Sequence, residues 1–187
     1  MNKSFNLNKF NGTHKEIGLK IGKSIGFKFE KNLTKMIKVI DKQYSINYDK
    51  LKKNSKLWLK NLPEEYQQEL EGVSTGAYCD LDKIAKWYYS SMCTEGSCTG
   101  FFINLDNSWW IGRNNDYLLP KHWRYINIIE VENKIPVMLF GLEGDIFSGT
   151  GFNKEKLWIH YNWLPVWDYI NENKQEVLSP FVFISKA

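Results

Sequence analysis

The sequence has no apolar run of membrane-spanning length, no low-complexity tract and only three cysteines, Cys79, Cys93 and Cys98, with no CxxC spacing among them. Each absence excludes a class of protein. Without about eighteen consecutive apolar residues there is no candidate membrane helix. The opening stretch MNKSFNLNKFNGTHKEIG holds no apolar segment of signal-peptide length, so a soluble, cytoplasmic chain without a membrane partner is expected. An odd number of cysteines without metal-ligand spacing argues against a disulfide framework and against a zinc knuckle. Histidine is also scarce. His14, His122 and His160 stand far apart and beside no cysteine or carboxylate pattern, so each reads as a surface or packing residue, and no metal or cofactor is expected. The net charge of +4 comes mostly from lysines in the N-terminal third, as in Lys50-Leu51-Lys52-Lys53-Asn54-Ser55-Lys56. That density suits a solvated helix face, whereas a nucleic-acid partner would need a denser basic stripe or a recognisable module.

What the chain does have is apolar mass. An apolar content of 43% and an aromatic content of 16% over 187 residues are enough to bury a real core and to exclude disorder. One domain, or one domain with an appended helical segment, is the expectation. Two regions differ in period. From Gly12 to about Met92 the apolar residues recur at three and four. Ile17, Ile21, Ile25 and Phe29, continued by Leu33, Ile37 and Ile40, predict one long amphipathic helical stripe. Further helices are predicted from Tyr48 to Leu59, from Glu64 to Ala77 behind Pro63, and through Ile84 and Trp87 with Asp80 or Asp82 as the N-cap.

From Cys98 onward, short β-type runs alternate with turn signals. Thr99 to Leu105 and Trp109 to Arg113 flank Asp106-Asn107-Ser108 as a first hairpin. Trp123 to Glu132 and Pro136 to Leu142 make a second, and Phe147 to Phe152 with Leu157 to Asn162 a third. Helices followed by a largely antiparallel sheet predict an α+β fold.

The stretch Ser91-Met92-Cys93-Thr94-Glu95-Gly96-Ser97-Cys98-Thr99-Gly100 carries Cys-Thr twice at the junction of the two regions. A lone cysteine is ordinarily a small buried hydrophobe. Cys98, however, opens a strand after small flexible residues, and its hairpin partner ends in Gly112-Arg113-Asn114-Asn115-Asp116-Tyr117. An Arg and an Asp at that end lie beside Cys98, and unpaired charges there are costly, so they call for mutual pairing or a catalytic role. Cys93 has no charged hairpin at the right distance and reads as a packing or loop thiol.

The pattern Cys-Thr, a hairpin, then Gly-Arg-Asn-x-Asp resembles the N-terminal-nucleophile (Ntn) hydrolases of the choloylglycine hydrolase and penicillin V acylase type. The resemblance is nearest to peptidase family C45, the acyl-coenzyme A:6-aminopenicillanic acid acyltransferase branch. Upstream, Gly12-Thr13-His14-Lys15-Glu16-Ile17-Gly18, Glu69-Leu70-Glu71-Gly72-Val73-Ser74-Thr75-Gly76-Ala77 and Asp82-Lys83-Ile84 resemble its helical prosegment. Downstream, Gly151-Phe152-Asn153-Lys154-Glu155-Lys156-Leu157 and Tyr161-Asn162 resemble its next hairpin.

The resemblance implies an αββα sandwich, with residues 1–97 as a helical prosegment and 98–187 as the N-terminal part of the catalytic domain. It implies self-cleavage of the Ser97-Cys98 bond and then hydrolysis or transfer of the acyl group of a small linear amide through a thioester on Cys98. Asp116 would hold the new α-amino group, Arg113 would favour the thiolate, and Asn162 would donate to the oxyanion. Asn162 taken alone also reads as a turn or strand-end residue, and Asn114 as a structural one. Arg113 is nearer the bile-salt hydrolase pattern than the acyltransferase pattern. A further oxyanion Asn and an Arg from the family's C-terminal half have no counterpart here, so the catalytic sheet is expected to be incomplete. The alternative expectation is an inactive remnant or one half of a split enzyme that self-associates or pairs with the missing half. Trp109, Trp110, Tyr117 and Trp163 suggest an apolar acyl pocket, with half of them turned into the core by strand alternation.

Overall fold

The protein is described by a computed structural model covering residues 6–92, 98–115, 123–142 and 146–160. It is α+β, with five helices and seven strands among the described residues.

The amphipathic stripe beginning at Ile17 becomes two helices rather than one. α1 spans His14–Ile25 and starts at a capping box, in which the Thr13 side chain accepts from the Glu16 N–H and the Glu16 carboxylate accepts from the Thr13 N–H. It stops at Gly26, whose φ of 53° and ψ of −143° are open to glycine and costly to other residues. α2 resumes at Lys28–Tyr44 and carries the stripe on through Phe29, Leu33, Met36 and Ile40, leaving Ile37 half-buried. The periodicity survives the break because both helices turn their apolar faces to one core.

α3 (Tyr48–Asn61) is capped by the Asn47 side chain, which accepts from the Lys50 N–H. It ends before Pro63, which disfavours helical geometry in the residue preceding it. α4 (Glu64–Ala77) follows that proline with two glutamates in its first turn, where the helix dipole favours negative charge. α5 (Leu81–Met92) begins directly after Asp80, whose carbonyl accepts from the N–H groups of Lys83 and Ile84.

A strand precedes the helices, contrary to the expected order of helices first. β1 (Asn6–Gly12) pairs in parallel with β4 (Trp123–Val131), from Asn6 opposite Tyr125 to Gly12 opposite Val131. Its sequence, NLNKFNG, buries only Phe10, so it lacks the alternation that marks a strand. The strand is held instead by polar contacts, the Asn8 amide donating to Asn127 at 3.1 Å and Lys9 pairing with Glu130 at 2.8 Å. β4 continues antiparallel to β5 (Val137–Leu142), then β6 (Thr150–Asn153) and β7 (Trp158–His160), giving the sheet order β1-β4-β5-β6-β7. β2 (Cys98–Leu105) and β3 (Ser108–Asn115) form a separate two-stranded ribbon. All three expected hairpins pair, the third over shorter strands than expected, since Phe147 precedes β6 and Leu157 precedes β7, while Tyr161 and Asn162 lie outside the described residues.

The helices cover one face of the five-stranded sheet. Ile129 and Leu139 from the sheet, with Ile146 and Phe147 beyond it, join the buried side chains of the helices in one core. Phe147 is the aromatic junction, 6.0 Å from the ring of Trp58 on α3 and 5.5 Å from those of Tyr66 on α4 and Tyr88 on α5. On the opposite face Phe140, Phe152 and Trp158 stack with centroids 5.9 to 6.2 Å apart. No helix among the described residues is long and apolar enough to cross a membrane.

α1 and α4 make the closest helix contact. A methyl group on Gly18 would lie 1.9 Å from the Glu69 carbonyl oxygen, and one on Gly72 would lie 2.3 Å from that of Lys15. Gly22 and Gly76 close the same seam one turn on. Alanine is favoured over glycine inside a helix by roughly 0.5–1 kcal/mol. Overpacking against backbone that cannot give way costs roughly 1–3 kcal/mol, so the clash should win. Gly18→Ala or Gly72→Ala is expected to lower stability by about 1–2 kcal/mol in urea unfolding. A gain in stability would mean that the two helices do not meet in this way.

Candidate functional site

The ribbon carrying Cys98 is shaped by its turn. Leu105 pairs with Ser108, leaving Asp106 and Asn107 as a two-residue loop with φ of 52° and 59°. Positive φ at both central positions is the geometry whose twist matches a hairpin, and Asp and Asn tolerate it. This turn sets the register, with Cys98 opposite Asn115, Thr99 opposite Asn114, and Gly100 opposite Arg113. Side chains alternate across a ribbon, so Cys98 and Arg113 share one face as diagonal neighbours, a spacing of about 7–8 Å that a long side chain spans. Both are half-buried.

Asn114 is exposed and belongs to the other face, away from the thiol. Gly112 is also on that other face, where the Phe101 ring occupies the place a side chain would take. Trp109 and Trp110 are both exposed, so neither turns into the core as alternation alone would suggest; among the described residues β2 and β3 pair only with each other. Ser97, Asp116, Asn162, Cys93, Tyr117 and Trp163 lie outside the described residues.

A residue that sequence reasoning passed over completes the face. His160, at the end of β7, stacks on Phe102 with centroids 5.5 Å apart and planes 20° apart. A methyl group on Gly100 would come within 2.9 Å of its Nε2, so glycine at 100 is what lets the imidazole seat against the ribbon. Trp158 donates its indole N–H to His160 Nδ1 at 2.9 Å. A neutral imidazole accepting at Nδ1 carries its proton on Nε2, the atom facing Gly100. Burial lowers the His160 pKa, and the Arg113 guanidinium lowers it further. The only local signal was the pair Trp158 and His160 two apart on a strand, which alternation places on one face.

Thiol, guanidinium and imidazole thus gather at one end of the ribbon, beside the outer face of the sheet. Cys79, by contrast, is buried and its thiol pKa is pushed up, chiefly by burial. Neither Cys79 nor Cys98 is in a disulfide. Among the described residues no three His, Cys, Asp or Glu side chains gather to hold a metal ion. No protein-family model matches the chain, and no curated protein matches it.

Because the folded chain resists protonating His160, its unfolded state takes up a proton first as pH falls. Stability from neutral His160 is present above the ordinary value of about 6.5 and is lost as pH falls through the lower folded value. Arg113→Met should raise the His160 pKa, followed by NMR titration of the imidazole, while leaving it below the ordinary value because burial remains. An unchanged pKa would separate Arg113 from His160.

Proposed function

We propose that the protein is a self-processing cysteine amidohydrolase or acyltransferase of the Ntn type, acting on a small linear amide, with a cytoplasmic location as part of the same reading. The observation that carries it is the placement of Cys98 as the first residue of β2, with Arg113 on the same face of the hairpin partner. The layering also supports it: helices cover one face of the five-stranded sheet, and the ribbon meets the other through His160 and Phe102. An αββα sandwich needs that order of layers.

In this reading the Cys98 thiol attacks the Ser97 carbonyl carbon and the C–N bond breaks. Water then hydrolyses the resulting thioester, leaving a carboxylate on Ser97 and an α-amine on Cys98. An α-amine has a pKa of about 7.7–8.0, close enough to neutrality to take the proton of its own thiol. On substrate, the thiol forms a thioester with the acyl group, and the amine passes its proton to the departing nitrogen. Water or an acceptor amine then releases the acyl group. Arg113 favours the thiolate by its charge. Asp116 would hold the α-amine and Asn162 would donate to the oxyanion, where one such donor is worth roughly 3 kcal/mol of barrier.

A second reading, a non-catalytic chain or half of a split enzyme that pairs through its sheet, is favoured by the exposed apolar surface of the ribbon. Phe101 is 58% exposed, Trp109 71% and Trp110 59%, far more than a ribbon in water needs.

Mass spectrometry separates the two. From 22.1 kDa over 187 residues, cleavage before Cys98 is expected to give two pieces of roughly 11 kDa, and Cys98→Ala a single intact chain. A wild type that never splits, with Cys98 no more reactive to iodoacetamide than the buried Cys79, would overturn the enzymatic reading.

A further inference from the structure

On the helix side of the sheet, away from the Cys98 ribbon, a cavity of about 410 Å³ lies between α1, α4 and the β4–β5 hairpin. That volume is in the range of small-molecule sites. Its helical wall is polar and consists of His14, Glu65, Tyr66 and Glu69. Its sheet wall is aliphatic, with Ile129, Val137 and Leu139, and Lys134 contributes from the exposed hairpin turn.

Glu69 is the unusual member. Its side chain is only 4% exposed, and His14 Nδ1 meets Oε2 at 2.7 Å. A carboxylate offers about four acceptor positions, yet among the described residues no further donor reaches this one. Burial raises the Glu69 pKa, and the hydrogen bond from His14 opposes that shift. Both Glu69 and Glu65 also act on Tyr66, where burial and then these two carboxylates hold the proton on the phenol. The fields of the two carboxylates therefore converge on one spot beside an aromatic ring. Two carboxylates, of which Glu69 is paired with His14 and Glu65 is not held by it, face one peripheral lysine, so the cavity keeps an acidic bias and unused acceptor capacity. An anion would be repelled there, and a neutral apolar guest would leave Glu69 short of donors.

We propose that this cavity is a binding site for a small primary amine. The ammonium group donates to Glu69 and is neutralised by Glu65 beside the Tyr66 ring, while an aliphatic body packs on Ile129, Val137 and Leu139. The site does not depend on the thiol chemistry, since the sheet separates it from the ribbon.

The test is calorimetric titration of the full chain with 3-methylbutylamine, 3-methylbutan-1-ol and 3-methylbutanoate, which share one apolar body and differ in charge. The amine is expected to bind saturably, with the alcohol and the acid each weaker by about tenfold or more. Glu65→Gln should weaken the amine severalfold and Glu69→Gln by about tenfold or more, while Cys98→Ala binds it as the wild type does. If Glu69→Gln does not fold, Glu65→Gln and the ligand series decide. The proposal fails if the amine does not bind, if the alcohol or the acid matches it, if Glu65→Gln changes nothing, or if Cys98→Ala abolishes binding.

Discussion

Where α1 crosses α4, the Glu69 carbonyl occupies the space that a methyl group on Gly18 would need, and the Lys15 carbonyl does the same opposite Gly72. Side chains normally hold helix axes about 8–10 Å apart. Here two pairs of glycines, each four residues apart, let the backbones themselves touch. The contact fixes the rotation of each helix as well as its distance. His14, one turn before Gly18, is thereby set over Glu69, one turn before Gly72, across 55 residues of chain. A carboxylate buried this deeply is tolerable because the partner is delivered with it, and removing one member of such a pair typically costs about 3–5 kcal/mol. The glycine seam thus shapes the polar wall of the cavity, while the sheet supplies the apolar one.

Phe147 ties that helical layer to the sheet. It follows β5 closely in sequence but packs among Trp58, Tyr66 and Tyr88 from three different helices. Edge-on aromatic pairs of this kind contribute roughly 0.5–1.5 kcal/mol each beyond the area they bury. The ring therefore anchors the β5–β6 connection and holds Tyr66 at the edge of the cavity. The same sheet presents Phe140, Phe152 and Trp158 on its other face, so one layer of strands is apolar on both sides and needs a covering on both.

Local physics was legible in the sequence and non-local contact was not. The helix over Glu64–Ala77 followed from Pro63 and the apolar spacing, and the first hairpin from Asp106 and Asn107, because caps, turns and periodicity are encoded within a few residues. The break at Gly26 was hidden because the stripe keeps its phase across it. β1 was hidden because its stability comes from pairing with β4, more than a hundred residues away, and from one buried ring. The expected turn, Asp106-Asn107-Ser108, would set Arg113 opposite Phe101; Ser108 instead opens β3, and the two-residue loop that results is what puts Cys98 and Arg113 on one face. His14 and His160 looked isolated because the groups that define them, Glu69 and the Gly100–Phe102 seat, lie 55 and about 60 residues away. An expected role for a histidine cannot be excluded by its sequence neighbours when its partners come from another element.

A two-stranded ribbon on its own is marginal in water, and this one exposes aromatic rings on both faces. Its seat on the rest of the fold is therefore what defines the position of the thiol. The described seat is small: the Phe102 ring lies flat on His160, and Gly100 leaves room for the imidazole edge. His160 is in turn oriented by the Trp158 indole, which belongs to the aromatic stack on the outer face of the sheet. A chain of contacts therefore runs from Phe140 through Trp158 and His160 to the strand that Cys98 opens. Protonating His160 would cost it the acceptor role toward Trp158 and place a cation beside Arg113, and both effects loosen the seat. In this fold the histidine holds the strand that Cys98 opens, through the Phe102 ring and the space at Gly100, a contact that involves no proton transfer with the thiol.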